Sequence, residues 1–399
     1  MEIMSLIYKI HNKIGRIGFR LWAKLAPSPA KRFQFFDTRM FLSNEMDPKF
    51  AWKKFAKQHN PYFKKWGFQV SQLDAAYYSR VSGIQADHYV TRSMAVHYIY
   101  PYLDRYDFVP AYMDKNIQNR LLGLPDSAGG ILTTEHIVCN SNGIFFDPHG
   151  NVCSRETALD ILTAYGNDLI LKPSVETFGG RGVMKVPAGT DRSTFGELIK
   201  QYHYNFTFQK MVAQHPVMGQ FNPTSVNTVR IVTYRDFGRH LKILYAVVRF
   251  GGEGSVMDNV CSGGGYTGVD AATGKLLDRK RYSYFQMDVP TLPDRMPDTI
   301  PHWQQIRAAA FTLHERLPQM DIIGWDFAVA PDGTPVLIEF NPRPGVGLQQ
   351  AVGPMFAKDE LDEIMAHVSK QRTAYRPFGE IRFKDFPERR TVHTKFGSN

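Results

Sequence analysis

An α+β fold with antiparallel hairpins behind a helical N-terminal region is what this sequence predicts, and three observations predict it. From about residue 33 to 120, apolar and aromatic residues recur at helical spacing. After about residue 130 the texture changes to short apolar runs, glycine turns and spaced amphipathic stretches. Two pairs of runs flank hairpin turns, one containing Gly238 and one made of Pro331-Asp332-Gly333-Thr334.

The elements follow in chain order. Residues 2–25 predict one helix with a basic stripe (Lys9, Lys13, Arg16, Arg20, Lys24) and an apolar face that includes Trp22, stopped by Pro27 and Pro29. Such a helix suits either an anionic membrane surface or packing on its own domain. The stretch 33–110 is helical and carries no catalytic spacing; His88 and His97 stand alone in it, and Tyr77, Tyr78 and Tyr89 suit packing. Residues 143–147 read as a strand, and Ser154 caps a helix running to about Tyr165. Strands follow at 169–172, 183–186 and 206–212, with a helix over 191–204 between the last two. A hairpin at 226–234 and 241–250, an amphipathic helix from Trp303 to Leu317, a second hairpin at 324–330 and 336–340, and a helix at 355–368 complete the body.

Composition bounds the function. The chain has 399 residues, 22% of them charged and 43% hydrophobic, which excludes disordered and collagen-like classes. Three cysteines (Cys139, Cys153, Cys261) are too few for a disulfide framework or a zinc site, so a reduced, cytoplasmic setting is expected. No apolar run approaches the roughly 18 residues of a membrane span. The net charge of +10 lies at the ends: residues 1–32 carry +6 and the tail 369–399 carries +5, leaving −1 for everything between. A neutral body with basic ends disfavours a nucleic-acid-binding fold.

Three pieces carry chemistry. In the first, Lys172 ends a strand and the loop Glu176-Thr177-Phe178-Gly179-Gly180-Arg181-Gly182 leads into the next. Glycines let backbone N–H groups approach phosphate oxygens, and the lysine adds a point charge. In the second, strand alternation sends Trp325, Phe327 and Val329 one way and Asp326, Ala328 and Ala330 the other. On the partner strand it puts Val336, Ile338 and Phe340 on the apolar face, with Glu339 and Asn341 opposite. Pairing about the Pro-Asp-Gly turn would bring Asp326 beside Glu339 and Asn341, a hard-oxygen set that selects Mg²⁺ or Mn²⁺. In the third, Arg230 projects from the otherwise apolar strand Val229-Arg230-Ile231-Val232, where a phosphate or a structural carboxylate would be its partner.

Taken in chain order, Lys172 with its loop, Gln214-His215-Pro216, the Arg230 strand and then the Asp326 and Glu339 strands, the pieces resemble the ATP-grasp superfamily, and within it the sugar-transfer-associated family, over about 110–368, two thirds of the chain. The resemblance implies an ATP-grasp domain at 111–368, with two α+β subdomains whose antiparallel sheets grip ATP. It implies Lys172, and Lys115 of Met113-Asp114-Lys115-Asn116, as phosphate lysines, the loop from Glu176 to Gly182 as a flap, and Gln209, Lys210, Met211 and Val212 as the adenine-side hinge. Gln209 and Lys210 stand where the superfamily commonly has an acid. Asp326, Glu339 and Asn341 would hold two Mg²⁺ ions and Arg230 would meet the γ-phosphate. Arg230 and Arg343 are thus the catalytic candidates, Arg343 for the acyl oxyanion or the carboxylate. Asn259-Val260-Cys261-Ser262-Gly263-Gly264 resembles a segment of glutamate-ligase-like members, making Arg249, Asn259, Gly263 and Gly264 acceptor-site candidates. The implied activity is carboxylate–amine ligation through an acyl phosphate, with a uronic-acid-containing sugar and an amino acid as implied substrates. A hydroxyl kinase and a non-catalytic nucleotide sensor are the alternatives. The basic N-terminal helix would place the protein peripherally at the inner face of a membrane.

Overall fold

The computed structural model describes residues 52–122, 130–175, 182–252, 254, 264–283 and 289–371. The helix read at 2–25 and the tail from 372 lie outside them. Among the described residues, twelve strands form two six-stranded sheets. The small sheet has the order β4-β3-β2-β7-β5-β6, from β2 (His136–Ser141), β3 (Ile144–Phe146), β4 (Val152–Cys153), β5 (Leu169–Pro173), β6 (Met184–Val186) and β7 (Phe206–Lys210). The large sheet has the order β1-β12-β11-β8-β9-β10, from β1 (Leu132–Thr133), β8 (Thr228–Arg235), β9 (Leu241–Phe250), β10 (Gly265–Val269), β11 (Ile322–Val329) and β12 (Pro335–Asn341). Every pair is antiparallel except β1 with β12. The helices of eight residues or more are α1 (Leu73–Ser82), α2 (Lys115–Leu122), α3 (Arg155–Ala164), α4 (Arg192–Tyr202), α5 (Trp303–Glu315) and α6 (Lys358–Gln371).

Local chemistry sets these elements. Ser154 and Asp191 each accept a backbone N–H three residues on, capping α3 and α4. Both helices turn Ala158, Leu159, Leu162, Phe195 and Ile199 onto Leu169, Leu171, Phe206 and Phe208, which closes the outer face of the small sheet. α5 covers one face of the large sheet, packing Ile306, Ala310 and Leu313 against Ile231, Trp325, Phe327 and Phe340. Within that core Trp325 Nε1 donates to Thr233 Oγ1 at 2.8 Å, Thr233 meets His314 Nδ1 at 2.7 Å, and His314 Nε2 lies 2.9 Å from Met320 O. An indole only donates and a carbonyl only accepts, so the chain runs one way through a neutral His314 protonated on Nε2. Burial agrees, lowering that histidine's pKa to about 4.

The other face of the large sheet is shared. At one end Val232, Tyr234, Tyr245, Val247 and Ile322 pack under the N-terminal helices, among Tyr77, Tyr89 and Tyr100, and under α6 through Leu361 and Ile364. Further along that face, Asp326 and Glu339 lie near enough to Lys172 of the small sheet to act on its charge. α2 spans the gap. Asn116 Nδ2 donates to Asn140 O on β2 at 2.9 Å, while Gln118 Nε2 donates to Phe340 O on β12 at 2.8 Å.

Candidate active site

Register brings the site together. Asp326 on β11 lies directly opposite Arg230 on β8 and Glu339 on β12, and Asn341 lies opposite Gly324, one row further along. Directly opposed residues share a face, so arginine and two carboxylates form one row across three strands. Asn341 Nδ2 stands 3.5 Å from Asp326 Oδ2.

The hairpin differs from simple alternation at one point. A bulge between Asp326 and Phe327 pairs Phe327 with Leu337 and Ala328 with Val336, leaving Ile338 as the extra residue. Leu337 and Phe340 therefore join the Trp325 core. Val336 and Ile338, expected on that apolar face, instead pack with Ala328, Ala330, Val226 and Val212 on the site side. The result is a small apolar bed beside the row of charges, bordered by Val212 from the segment that links the two sheets.

Charges are matched within the row. Arg230 binds Asp326 through Nε and Nη2, the latter at 2.5 Å, and Arg249 Nη1 reaches Asp326 Oδ2 at 3.1 Å. Burial works against the Asp326 charge, but Arg230 and Arg249 together hold its pKa below the usual carboxylate value. Arg249, expected near an acceptor substrate, thus stands on Asp326, one of the two opposed carboxylates. Lys115 Nζ, at the start of α2, lies 3.5 Å from Glu339 Oε2. Lys172 projects from β5 and is only 7% exposed. Burial lowers its pKa to about 8, Lys115 pushes the same way, and Glu339 and Asp326 oppose it. Both lysines therefore face the carboxylates of the large sheet.

On the small sheet, Lys172, Thr207 and Cys139 form one row, and Ile170, Gln209 and His136 the next. His136, missed by sequence reasoning, bonds Thr207 Oγ1 at 2.8 Å and sits 3.3 Å from Gln209 Nε2. Burial, then Lys172 and Arg120, lower its pKa to about 4, so it is neutral. As one of 13 scattered histidines it gave no local signal. Lys210 ends β7, pairing Glu135 at 2.9 Å, and Met211 and Val212, expected at the adenine side, follow it half-buried. Gly182 has φ +72°, and a Cβ there would stand 3.0 Å from Pro173 Cγ, so glycine is required where the loop re-enters the sheet. Glu176, Gly179, Gly180, Arg181, Asn259 and Gly263 lie outside the described residues; Gly264 is buried just before β10. Arg343 Nη2 contacts Met113 Sδ at 2.8 Å, beside the first turn of α2.

The donor set suits a hard divalent cation. Two carboxylates and an amide share one face, and each carboxylate is already balanced by lysine or arginine, which a triphosphate would draw off as the cation arrives. Among the described residues no group of three or more His, Cys, Asp or Glu forms a separate metal cluster. No described helix is long and apolar enough to cross a membrane.

Among solved structures, the chain is similar to a D-alanine-D-alanine ligase from Coxiella burnetii (10% identity, 71% of this chain and 61% of that one, TM-score 0.38). It is also similar to the VanG D-Ala:D-Ser ligase from Enterococcus faecalis (14% identity, 64% and 61%, TM-score 0.40) and to an ADP complex of PurK, an N5-carboxyaminoimidazole ribonucleotide synthetase (12% identity, 59% and 45%, TM-score 0.35). The chain thus spans less than two thirds of the length of each, and likenesses at this level carry no argument about chemistry. No curated protein matches the chain. The sugar-transfer associated ATP-grasp family matches residues 93–365, well over half of the sequence. With two antiparallel-rich sheets facing each other across paired lysines and carboxylates, the chain belongs to the sugar-transfer associated ATP-grasp family.

Proposed function

We propose that this protein is an ADP-forming carboxylate–amine ligase. The observation that carries the reading is the convergence on one carboxylate pair: Arg230 and Arg249 on Asp326, with Lys115 and Lys172 facing Glu339 from the opposite side of the cleft. Cations from both sheets around two acids suit a nucleotide triphosphate whose terminal phosphoryl group is to be transferred, where positioning and charge neutralisation are most of the catalysis.

Lys172 and Lys115 hold the phosphates. The apolar bed of Ala328, Val336, Ile338 and Val212 takes the base, with Gln209 and the neutral His136 beside it. Asp326, Glu339 and Asn341 are the residues that would hold Mg²⁺, which supplies Lewis-acid neutralisation of the phosphates when bound. Arg230, exchanging Asp326 for the γ-phosphate, stabilises the charge that builds there. Arg249 and Arg343 orient the substrate carboxylate. A carboxylate oxygen then attacks the γ-phosphorus, the bond to the β-bridging oxygen breaks, and ADP leaves. The amine adds to the acyl phosphate carbon, loses a proton and expels phosphate, leaving an amide. The family's sugar-transfer association supports a sugar-linked carboxylate, for which we propose a uronic acid, and we propose an amino acid as the amine. The basic helix at 2–25 would bring the enzyme to an anionic membrane; failure to float with anionic liposomes at low salt would remove that element.

The test is purified protein with Mg-ATP and hydroxylamine against a panel of uronic acids, nucleotide-linked uronates and amino acids. Hydroxamate appearing with ADP, and lost in Asp326→Ala and Glu339→Ala, is the expected result. ADP without hydroxamate would replace ligation by phosphoryl transfer to a hydroxyl.

A further inference from the structure

The hairpin β11–β12 carries Asp326, Glu339 and Asn341, and its turn at 331–334 closes only one end. The open end consists of the start of β11 and the segment that leaves β12 through Arg343, Pro344 and Gly345. Both strands are gripped there by a single helical turn of the N-terminal layer. Tyr100 Oη donates to Pro344 O at 2.6 Å. Four residues on, Asp104 Oδ1 accepts from Asp321 N at 2.7 Å and Ile322 N at 3.1 Å. Asp104 N in turn donates to Tyr100 O at 2.9 Å, so both grips belong to one rigid turn.

Neighbouring contacts fix the same segment. Tyr245 Oη donates to Gly345 O at 3.0 Å and Tyr266 Oη to Gly347 O at 3.2 Å, so three phenols hold three carbonyls in sequence. Gln349 accepts from Val90 N at 3.0 Å and donates to Val90 O at 2.8 Å, tying the far side of the segment to the N-terminal layer as well. Tyr100 is 1% exposed, and burial raises its pKa far above the ordinary phenol value, so the hydroxyl stays a donor at every working pH. At Gly324 the segment presses on the site face: a Cβ there would stand 3.0 Å from Pro344 Cβ and 3.4 Å from Arg230 Cδ.

We propose that the Tyr100–Asp104 turn is a clip that positions the Arg343 segment and the adjacent metal-binding strand ends for phosphoryl transfer. Tyr100 is on this account a positioning residue, acting through Pro344 on Asn341 and Arg343, and the N-terminal helical layer is a working part of the active site. The proposal rests on the phosphoryl-transfer reading above. Small displacements of such groups are felt most in the transition state, where the charges they meet are largest.

The experiment uses the full chain and needs no knowledge of the carboxylate. Dissociation constants are measured for Mg·ADP alone and for Mg·ADP with aluminium fluoride, which imitates the phosphoryl group in transfer. Wild type binds the fluoride complex more tightly than Mg·ADP. Tyr100→Phe keeps its Mg·ADP constant within about twofold and loses about three- to tenfold on the fluoride complex, the worth of one hydrogen bond. Tyr89→Phe removes a phenol of the same layer whose hydrogen bonds among the described residues go to Ser82 and Ile84, and should leave the ratio of the two constants unchanged. Equal weakening of both complexes in Tyr100→Phe would mean a structural role only, and no change in either would mean no role; both overturn the clip. Absence of fluoride enhancement in wild type would overturn the phosphoryl-transfer reading, and the clip with it, before any variant is made. Should Tyr100→Phe fail to fold, Tyr245→Phe frees the next carbonyl and must show the same split.

Discussion

Nucleotide binding should take up a proton at Lys172. The ammonium is buried between the sheets, and burial, with Lys115 pushing the same way, brings its pKa down to about 8 against the opposing pull of Glu339 and Asp326. In the free protein it is then roughly 90% charged at pH 7, half charged at pH 8 and roughly 10% charged at pH 9. A triphosphate stabilises the charged form, so binding completes the protonation. Uptake should be about 0.1 proton per nucleotide at pH 7, about 0.5 at pH 8 and about 0.9 at pH 9. Apparent affinity should fall by nearly tenfold for each further pH unit above 8. A phosphate's second ionisation, near pH 6, is essentially complete at pH 8 and above, so the uptake there reports Lys172, whereas at pH 7 the two contributions are of similar size. Calorimetric titration of Mg-ATP in two buffers of different ionisation enthalpy, between pH 7 and 9.5, measures the uptake directly. Lys172→Arg keeps a charge that does not titrate and should abolish both uptake and pH dependence. Equal uptake at pH 8 in wild type and Lys172→Arg, or an affinity flat to pH 9.5, would refute the placement of Lys172 against the phosphates.

Asp326→Asn strips the counter-charge from Arg230 and Arg249 and should cost about 3–5 kcal/mol of stability at pH 7, read by denaturant unfolding. Because the folded pKa of Asp326 lies below its ordinary 3.8, that contribution is present above about pH 4 and disappears as pH falls through the lower value, so the variant and wild type should converge in acid. Gly324→Ala forces a methyl against Pro344 and Arg230 and should lose about 1–3 kcal/mol in the same measurement, with weaker Mg-ATP turnover. Asp104→Ala leaves the N–H groups of Asp321 and Ile322 without their acceptor and should cost about 2–5 kcal/mol. Burial raises the Asp104 pKa well above 3.8, so wild type loses stability as pH rises from about 4 towards the folded value; Asp104→Asn keeps an acceptor without that slope and should be the more stable protein at pH 8.

Asp326 and Glu339 were legible as the polar members of two otherwise apolar strands, but the register set at the Pro-Asp-Gly turn, Ala328 with Val336 and Phe327 with Leu337, would continue to Asp326 with Ile338; the bulge brings Asp326 opposite Glu339 instead. Simple alternation misplaced Val336 and Ile338. A bulge shifts the period by one residue, and only the fit of β11 between β8 and β12 decides where it falls. Arg230 was legible as a charge on an apolar strand, but whether it meets phosphate or carboxylate depends on Asp326, 96 residues away. Lys115 gains its meaning from α2, whose polar anchors reach both sheets and hold its ammonium near Glu339. The grips of Tyr100 and Asp104 span more than 200 residues of sequence and have no local pattern at all.

The anchoring of the first turn of α2 to both sheets has a mechanical consequence. A cleft enzyme whose halves met only through the chain at Met211–Gln214 would open by hinging there, and every distance across the cleft would grow together. Here Asn116 is fixed to one half and Gln118 to the other, two residues apart, and the Lys115 amide is bonded to Ser174 O beside the glycine loop at 2.9 Å. The pivot therefore runs through the first turn of α2. Groups near that axis, Lys115 and Glu339 among them, keep their separation while the far rim swings. Opening would then widen the cleft at its rim without dismantling the cluster of charges at its centre.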